Sequence, residues 1–169
     1  EPFWPESTRT VSELRLSLKV RPTGLLGGFS GPRTIHLDIV DYPGEWLLDL
    51  GLLDKSYAKW SRDVLDWAEK RDEARDFLAA ADAARGRETW EEPDARALSD
   101  AYKAYLVAAR DAGHADITPG RFLLPGEMEG SPALTFAPLP VEENAPRKGL
   151  WREMERRFEA YKDRVVKPF

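Results

Sequence analysis

The sequence predicts an α+β chain, a two-stranded β-hairpin followed by a mainly helical region. Three observations carry this reading. Leu14, Leu16, Leu18 and Val20 alternate with Arg15, Ser17 and Lys19, and Ile35, Leu37 and Ile39 alternate with His36 and Asp38. Both runs have the two-residue period of a strand with one wet face. After Gly44 the spacing of apolar residues lengthens to that of a helix and stays there for most of the remaining chain.

The first strand is centred on Leu14 to Val20 and the second runs from Thr34 to Asp41. Between them "RPTGLLGGFSGPR" holds four glycines and two prolines, which continue neither strand, so an antiparallel hairpin with a long loop is the simplest topology. On the wet face His36 and Asp38 then fall within reach of Arg15, Ser17 or Lys19 as cross-strand polar pairs. Glu45 to Leu53 is acidic and leucine-rich. Tyr57, Trp60, Val64 and Trp67 recur at helical spacing, continued less regularly by Phe77, Leu78 and Ala81, which predicts a long helix broken once. Pro93 suits a first helical turn. Leu98, Tyr102, Tyr105, Leu106 and Ala109 form the next stripe, on a helix that pairs with the one before it. His114 to Pro146 reads as a connection rich in proline, six in all, of a length that is uncommon unless it packs across a surface or serves a site. A last helix places Leu150, Met154, Phe158, Tyr161 and Val165 on one face and stops at Pro168.

Bulk properties narrow the function classes. A chain of 169 residues suffices for one domain with a core, or one domain plus an insertion. A net charge of -5 and a pI near 5.2 argue against a general nucleic-acid binder, which needs an excess of Lys and Arg. There is no cysteine, hence no disulfide framework and no thiolate metal site. No apolar run approaches the ~18 to 20 residues of a bilayer span, and the expectation is a soluble, cytoplasmic chain.

The most informative stretch is "TIHLDIVDYPGEW", Thr34 to Trp46. Strand parity carries Asp41 onto the same face as Ile35, Leu37 and Ile39, which predicts a buried carboxylate in need of a cation, donors or a metal-bound water. An apolar strand ending in Asp and followed by "YPG" fits hhhhDxxG, the nucleotide-responsive motif of P-loop GTPases. There the carboxylate holds magnesium through water, and the glycine lets a backbone N–H approach the γ-phosphate. Taken alone, the pattern fits more often an aspartate that caps the next helix.

With its flanks, "WPESTRTVSELRL" before, "LDIVDYPGEWLLDL" after, and "PGRFLLPGEMEGSPALTFAPLP" further on, the chain closely resembles the YcjX-like family of P-loop NTPases. These are bacterial proteins associated with the phage-shock and envelope-stress response. The resemblance runs from Trp4 to the final "VVKPF". It implies a Ras-type, GTPase-like α/β fold whose sheet contributes the hairpin, with a helical insertion after the DxxG segment. The implied organisation is residues 1–51 for the switch segment and hairpin of the nucleotide-binding core, 52–146 for the insertion with its Pro-rich loop, and 147–169 for a helix returning to the core. The implied cofactors are magnesium (Mg2+) and GTP or another nucleoside triphosphate. Asp41 falls to the magnesium water shell and Gly44 to the γ-phosphate. Thr8 becomes the switch threonine that closes over magnesium, with Ser7 and Thr10 as alternatives. Glu45 stands where Ras-type enzymes place a water-orienting glutamine. It serves either as a general base on the attacking water or as an acid favoured by the macrodipole in the next helix's first turn.

The chain departs from the family pattern in two respects. GxxxxGK followed by Ser or Thr, whose amides and lysine cradle the phosphates, is absent, and "GLLGGFSG" reads as turn chemistry. The guanine-reading Asn/Thr-Lys-x-Asp tetrapeptide is absent as well. The expectation is a central segment of a longer NTPase, one motif lying before Glu1 and the other after Phe169, which alone neither binds nor hydrolyses nucleotide. The competing expectation is a non-enzymatic interaction module that offers Trp60, Trp67, Trp90 and the Pro-rich loop to a protein partner. His36 and Asp38 are read as a surface hydrogen-bonding pair rather than metal ligands, since His114 is the only further histidine.

Overall fold

The computed structural model describes residues 11–20, 32–142 and 144–168. The chain divides into two compact units between Gly44 and Glu45.

The first unit holds an antiparallel hairpin of β1 (Ser12–Val20) and β2 (Arg33–Asp41), in register from Ser12 opposite Asp41 to Val20 opposite Arg33. This register places Leu14, Leu16 and Leu18 opposite Ile39, Leu37 and Ile35 on one face, as the alternation requires. On the other face Arg15 donates to both carboxylate oxygens of Asp38, and Ser17 meets His36 at 3.0 Å. His36 and Asp38 thus form the expected cross-strand pairs, and no cluster of potential metal ligands occurs among the described residues. The glycine-rich hairpin loop expected at residues 21–31 lies outside the described residues. One expectation fails. Asp41 is exposed rather than buried, as is every other strand residue, because two strands make a single layer and burial of a sheet face needs a second.

The second unit is helical. A short helix α1 (Gly44–Leu47) leads into a 3-10 turn, Leu48–Leu52. Helix α2 (Tyr57–Ala68) starts where the Ser56 hydroxyl accepts from the Lys59 amide, an N-cap that satisfies one of the first-turn donors. The expected single break falls after it, and α3 (Arg75–Ala83) continues the stripe with Phe77 and Ala81 buried. Helix α4 (Glu92–Asp111) has Pro93 in its first turn, and the Asp94 carboxylate accepts from the Glu91 amide at 2.8 Å. Helices α3 and α4 pack together, with Phe77 stacked on Tyr105. After the one-turn α5 (Gly120–Leu123) and two 3-10 turns, α6 (Leu150–Tyr161) buries Leu150, Met154, Phe158 and Tyr161 and passes into a π-helical turn, Lys162–Val166.

Trp60 is the centre of this unit. Its ring is fully buried, stacks on Phe158 at 4.8 Å and meets Tyr102 and Phe136 edge-on. Trp67 and Trp90 are partly buried and pack against the same core. The Pro-rich connection packs across this core too, burying Phe122, Leu134, Phe136 and Leu139. A buried irregular segment must have its carbonyls satisfied. The polar tips of the core side chains do this: Tyr57 donates to the Ala137 carbonyl at 2.8 Å, Ser99 to that of Leu134 at 3.2 Å, and Tyr102 to that of Thr118. Residues 45–51 pack here through Trp46 and Asp49, and α6 packs against α2. No helix among the described residues is long and apolar enough to cross a membrane.

Candidate functional site

Strand β2 ends at Asp41, and a turn through Tyr42 and Pro43 brings the chain to Gly44, the first residue of α1. At Gly44 an added Cβ would meet nothing within 4 Å among the described residues, and the backbone does not take the positive φ that favours glycine. Glycine is moreover a poor helix former. Among the described residues, neither crowding nor backbone conformation calls for a glycine here. The exposed carboxylate three residues earlier suits magnesium, which takes one or two protein carboxylates and fills its remaining positions with water and phosphate. Asp41 and Gly44 lie on one short turn. Thr8, with Ser7 and Thr10, lies outside the described residues.

Glu45 follows, half-buried at the start of the helical unit. The residues around it were not singled out by the sequence reading. Trp46 is buried, its indole N–H donating to the Leu124 carbonyl at 2.7 Å and its ring lying 3.2 Å from the Arg121 guanidinium. Asp49 is only 2% exposed. One of its carboxylate oxygens accepts from the Gly120 amide at 2.7 Å, and the other accepts from the Arg121 amide at 3.2 Å and from the Tyr161 hydroxyl. Burial pushes the Asp49 carboxyl above the usual aspartate range, against the pull of the Tyr161 hydroxyl and the two backbone donors. Burial and then the Asp49 charge push the Tyr161 hydroxyl upward, so it remains protonated and donates. Gly120 comes so close to the Glu45 backbone that a Cβ on it would lie 1.7 Å from the Glu45 carbonyl oxygen.

The only sequence signal for this arrangement is a lone acid in the leucine-rich run "LLDLGLL". Its partners are 71, 72 and 112 residues away. They come from the 118–124 segment of the Pro-rich connection and from the end of α6.

The profile of the YcjX-like family, DUF463, matches residues 1–169. The chain belongs to the YcjX-like family. Among curated relatives, a protein of Shewanella oneidensis named Ras-like GTPase YcjX is 40% identical over 181 aligned residues, covering 99% of this chain and 37% of that protein. The Escherichia coli K12 protein of the same name is 38% identical over 191, covering 99% and 38%. The chain therefore spans little more than a third of the length of these relatives. In this YcjX-like chain, "DYPGEWLLDL" is the stretch whose second half the 118–124 loop grips.

Proposed function

We propose that the chain is the switch hairpin and helical insertion of a longer, Ras-type NTPase that hydrolyses GTP in a bacterial stress response. The observation that carries this reading is the Asp41–Gly44 turn, with an exposed carboxylate at a strand end and a glycine that no described residue crowds. Family membership and relatives named as Ras-like GTPases support it. Asp41 would hold magnesium through its water shell, Thr8 would be the switch residue for the same ion, and the Gly44 N–H would donate to the γ-phosphate. Bound magnesium supplies neutralisation of the phosphate charge. Glu45 either accepts a proton from the attacking water or serves as an acid in the first turn of α1. Hydrolysis joins the water oxygen to the γ-phosphorus and breaks its bond to the β,γ-bridging oxygen, giving GDP and phosphate. The rival reading, an interaction module that displays its tryptophans, loses its main support because Trp60 is core and Trp67 and Trp90 pack against it.

The test is a magnesium-dependent titration with fluorescent GTP and ATP, run on the 169-residue chain and on the longer protein that carries it. The chain alone should bind neither. The longer protein should bind GTP with magnesium, and Asp41→Ala should weaken that binding at least about tenfold, the equivalent of ~1.4 kcal/mol. Tight binding by the chain alone, or none by the longer protein, overturns the proposal.

A further inference from the structure

We infer that Gly120, Asp49 and Tyr161 are positioning residues for Glu45: they hold its backbone and the turn after it in place, so the part Glu45 plays in hydrolysis depends on Gly120 and Tyr161, 75 and more positions further along the chain. The inference rests on the reading proposed above and names a role for the insertion within it.

Three independent contacts converge on residues 45–49. Gly120 approaches the Glu45 carbonyl so closely that an added Cβ would sit 1.7 Å from its oxygen and 2.5 Å from its carbon, while the Gly120 φ is not positive. The glycine is thus demanded by the approach to Glu45 and not by its own backbone conformation. Trp46 is fixed by its hydrogen bond to the Leu124 carbonyl and by Arg121 over its ring. Gly126 completes this pocket, where a Cβ would come within 3.2 Å of the Trp46 ring. Asp49 ties the Gly120 and Arg121 amides to the end of α6 through Tyr161.

Packing alone does not account for Asp49. An apolar residue would fill a buried site without desolvating a carboxylate, and the best-attested use of a buried polar or ionic group is to fix one register. Here the carboxylate aims two loop amides and a tyrosine hydroxyl at one point, one turn beyond Glu45. The segment that follows Gly44 cannot shift without breaking these bonds, so its geometry is set by the 118–124 loop and α6. A displacement of about 1 Å at a reacting group costs on the order of 100-fold in rate, which makes this a constraint on catalysis as well as on folding.

The experiment compares Gly120→Ala and Tyr161→Phe with the unsubstituted protein in the longer NTPase, measuring kcat, KM for GTP and helix content by circular dichroism. Hydrogen exchange of the 45–49 amides is followed in parallel. We expect Gly120→Ala to lower kcat about 10- to 100-fold and Tyr161→Phe several-fold, with KM changed less than about twofold and with faster exchange at 45–49. If Gly120→Ala fails to fold, Tyr161→Phe decides alone. A folded variant with unchanged kcat, or with a raised KM and unchanged kcat, overturns the inference and leaves the GTPase reading intact. Absence of GTP hydrolysis in the unsubstituted protein overturns both.

Discussion

The hairpin and the helical unit are written with equal regularity, yet they end in opposite states. In β1 and β2 every residue is exposed, including Leu14, Leu37 and Ile39 at 54, 47 and 45%. In the helical unit the periodic residues Trp60, Tyr102, Phe158 and Tyr161 are all at 0%. Periodicity marks which side of an element is apolar. Whether that side is covered depends on a second layer. The helical unit supplies its own, since α2, α4, α6 and the Pro-rich connection close on one another. The hairpin has two strands and a single layer. In the proposed NTPase the remaining layer comes from the rest of the longer protein.

The sharpest way to break this comparison is to remove the centre of the helical core. Trp60→Ala deletes a ring stacked on Phe158 and edge-on to Tyr102 and Phe136, together with an indole N–H donating to Thr118. Such a truncation costs about 3 to 5 kcal/mol. We expect a chain that melts far below the unsubstituted one or does not fold cooperatively, as measured by urea denaturation with circular dichroism. A loss under about 1 kcal/mol would show that the core is centred elsewhere.

How much of this was legible depended on whether the partner lay nearby in sequence. Strand alternation and the Ile35–Leu37–Ile39 face are local, and so are the helical stripes, the Pro93 start and the Arg15–Asp38 and Ser17–His36 pairs that follow from a simple hairpin. Asp41 and Gly44 were legible as a motif. The exposure of Asp41 was not, because strand parity gives a side and says nothing about what covers it. The clamp on Glu45 was not legible either. Asp49 meets partners 71 to 112 residues away, and Gly120 is meaningful only because another backbone crosses beside it. The 114–146 connection was correctly flagged as too long to be idle. Its packing depends on the Tyr57, Ser99 and Tyr102 hydroxyls, whose acceptor carbonyls lie 80, 35 and 16 residues away.

An intermediate effect is expected at the surface of the helical unit, where α6 is tied to the start of α4. Arg157 is half-buried, bonding Glu92 and Glu153 and donating to the Thr135 carbonyl at 3.1 Å, with its guanidinium beside Trp90. Arg157→Ala should cost about 1 to 2 kcal/mol, reduced from the usual value for charged hydrogen bonds because Glu92 is largely solvated. The pH dependence gives the second readout. The Arg157 hydrogen bond holds the Glu92 carboxyl below its ordinary 4.5, and Arg156 followed by Arg157 does the same for Glu153. A depressed folded pKa contributes stability that is present above the ordinary value and lost as pH falls through the depressed one. The gap between the unsubstituted chain and Arg157→Ala should therefore be full at pH 7 and shrink below about pH 4.5. A gap that stays constant down to pH 3 would assign the loss to packing on Trp90 instead.

The smallest effect is expected where the pattern is most regular. Leu37 sits mid-strand opposite Leu16, on the apolar face of the hairpin, and remains 47% exposed. In the isolated chain, Leu37→Ala should move the cooperative unfolding of the helices by no more than about 0.5 kcal/mol, as for a surface position. The longer NTPase should respond differently. There a covering layer would make Leu37 a core residue, and the same substitution should cost about 2 to 5 kcal/mol. Urea titrations of both proteins, with and without the substitution, supply the four numbers needed. A cost above about 1.5 kcal/mol in the isolated chain would mean that the hairpin already has its second layer within these 169 residues. A negligible cost in both would mean that this face stays open in the longer protein, and that its leucines and isoleucines are kept for something other than the sheet of a nucleotide-binding core.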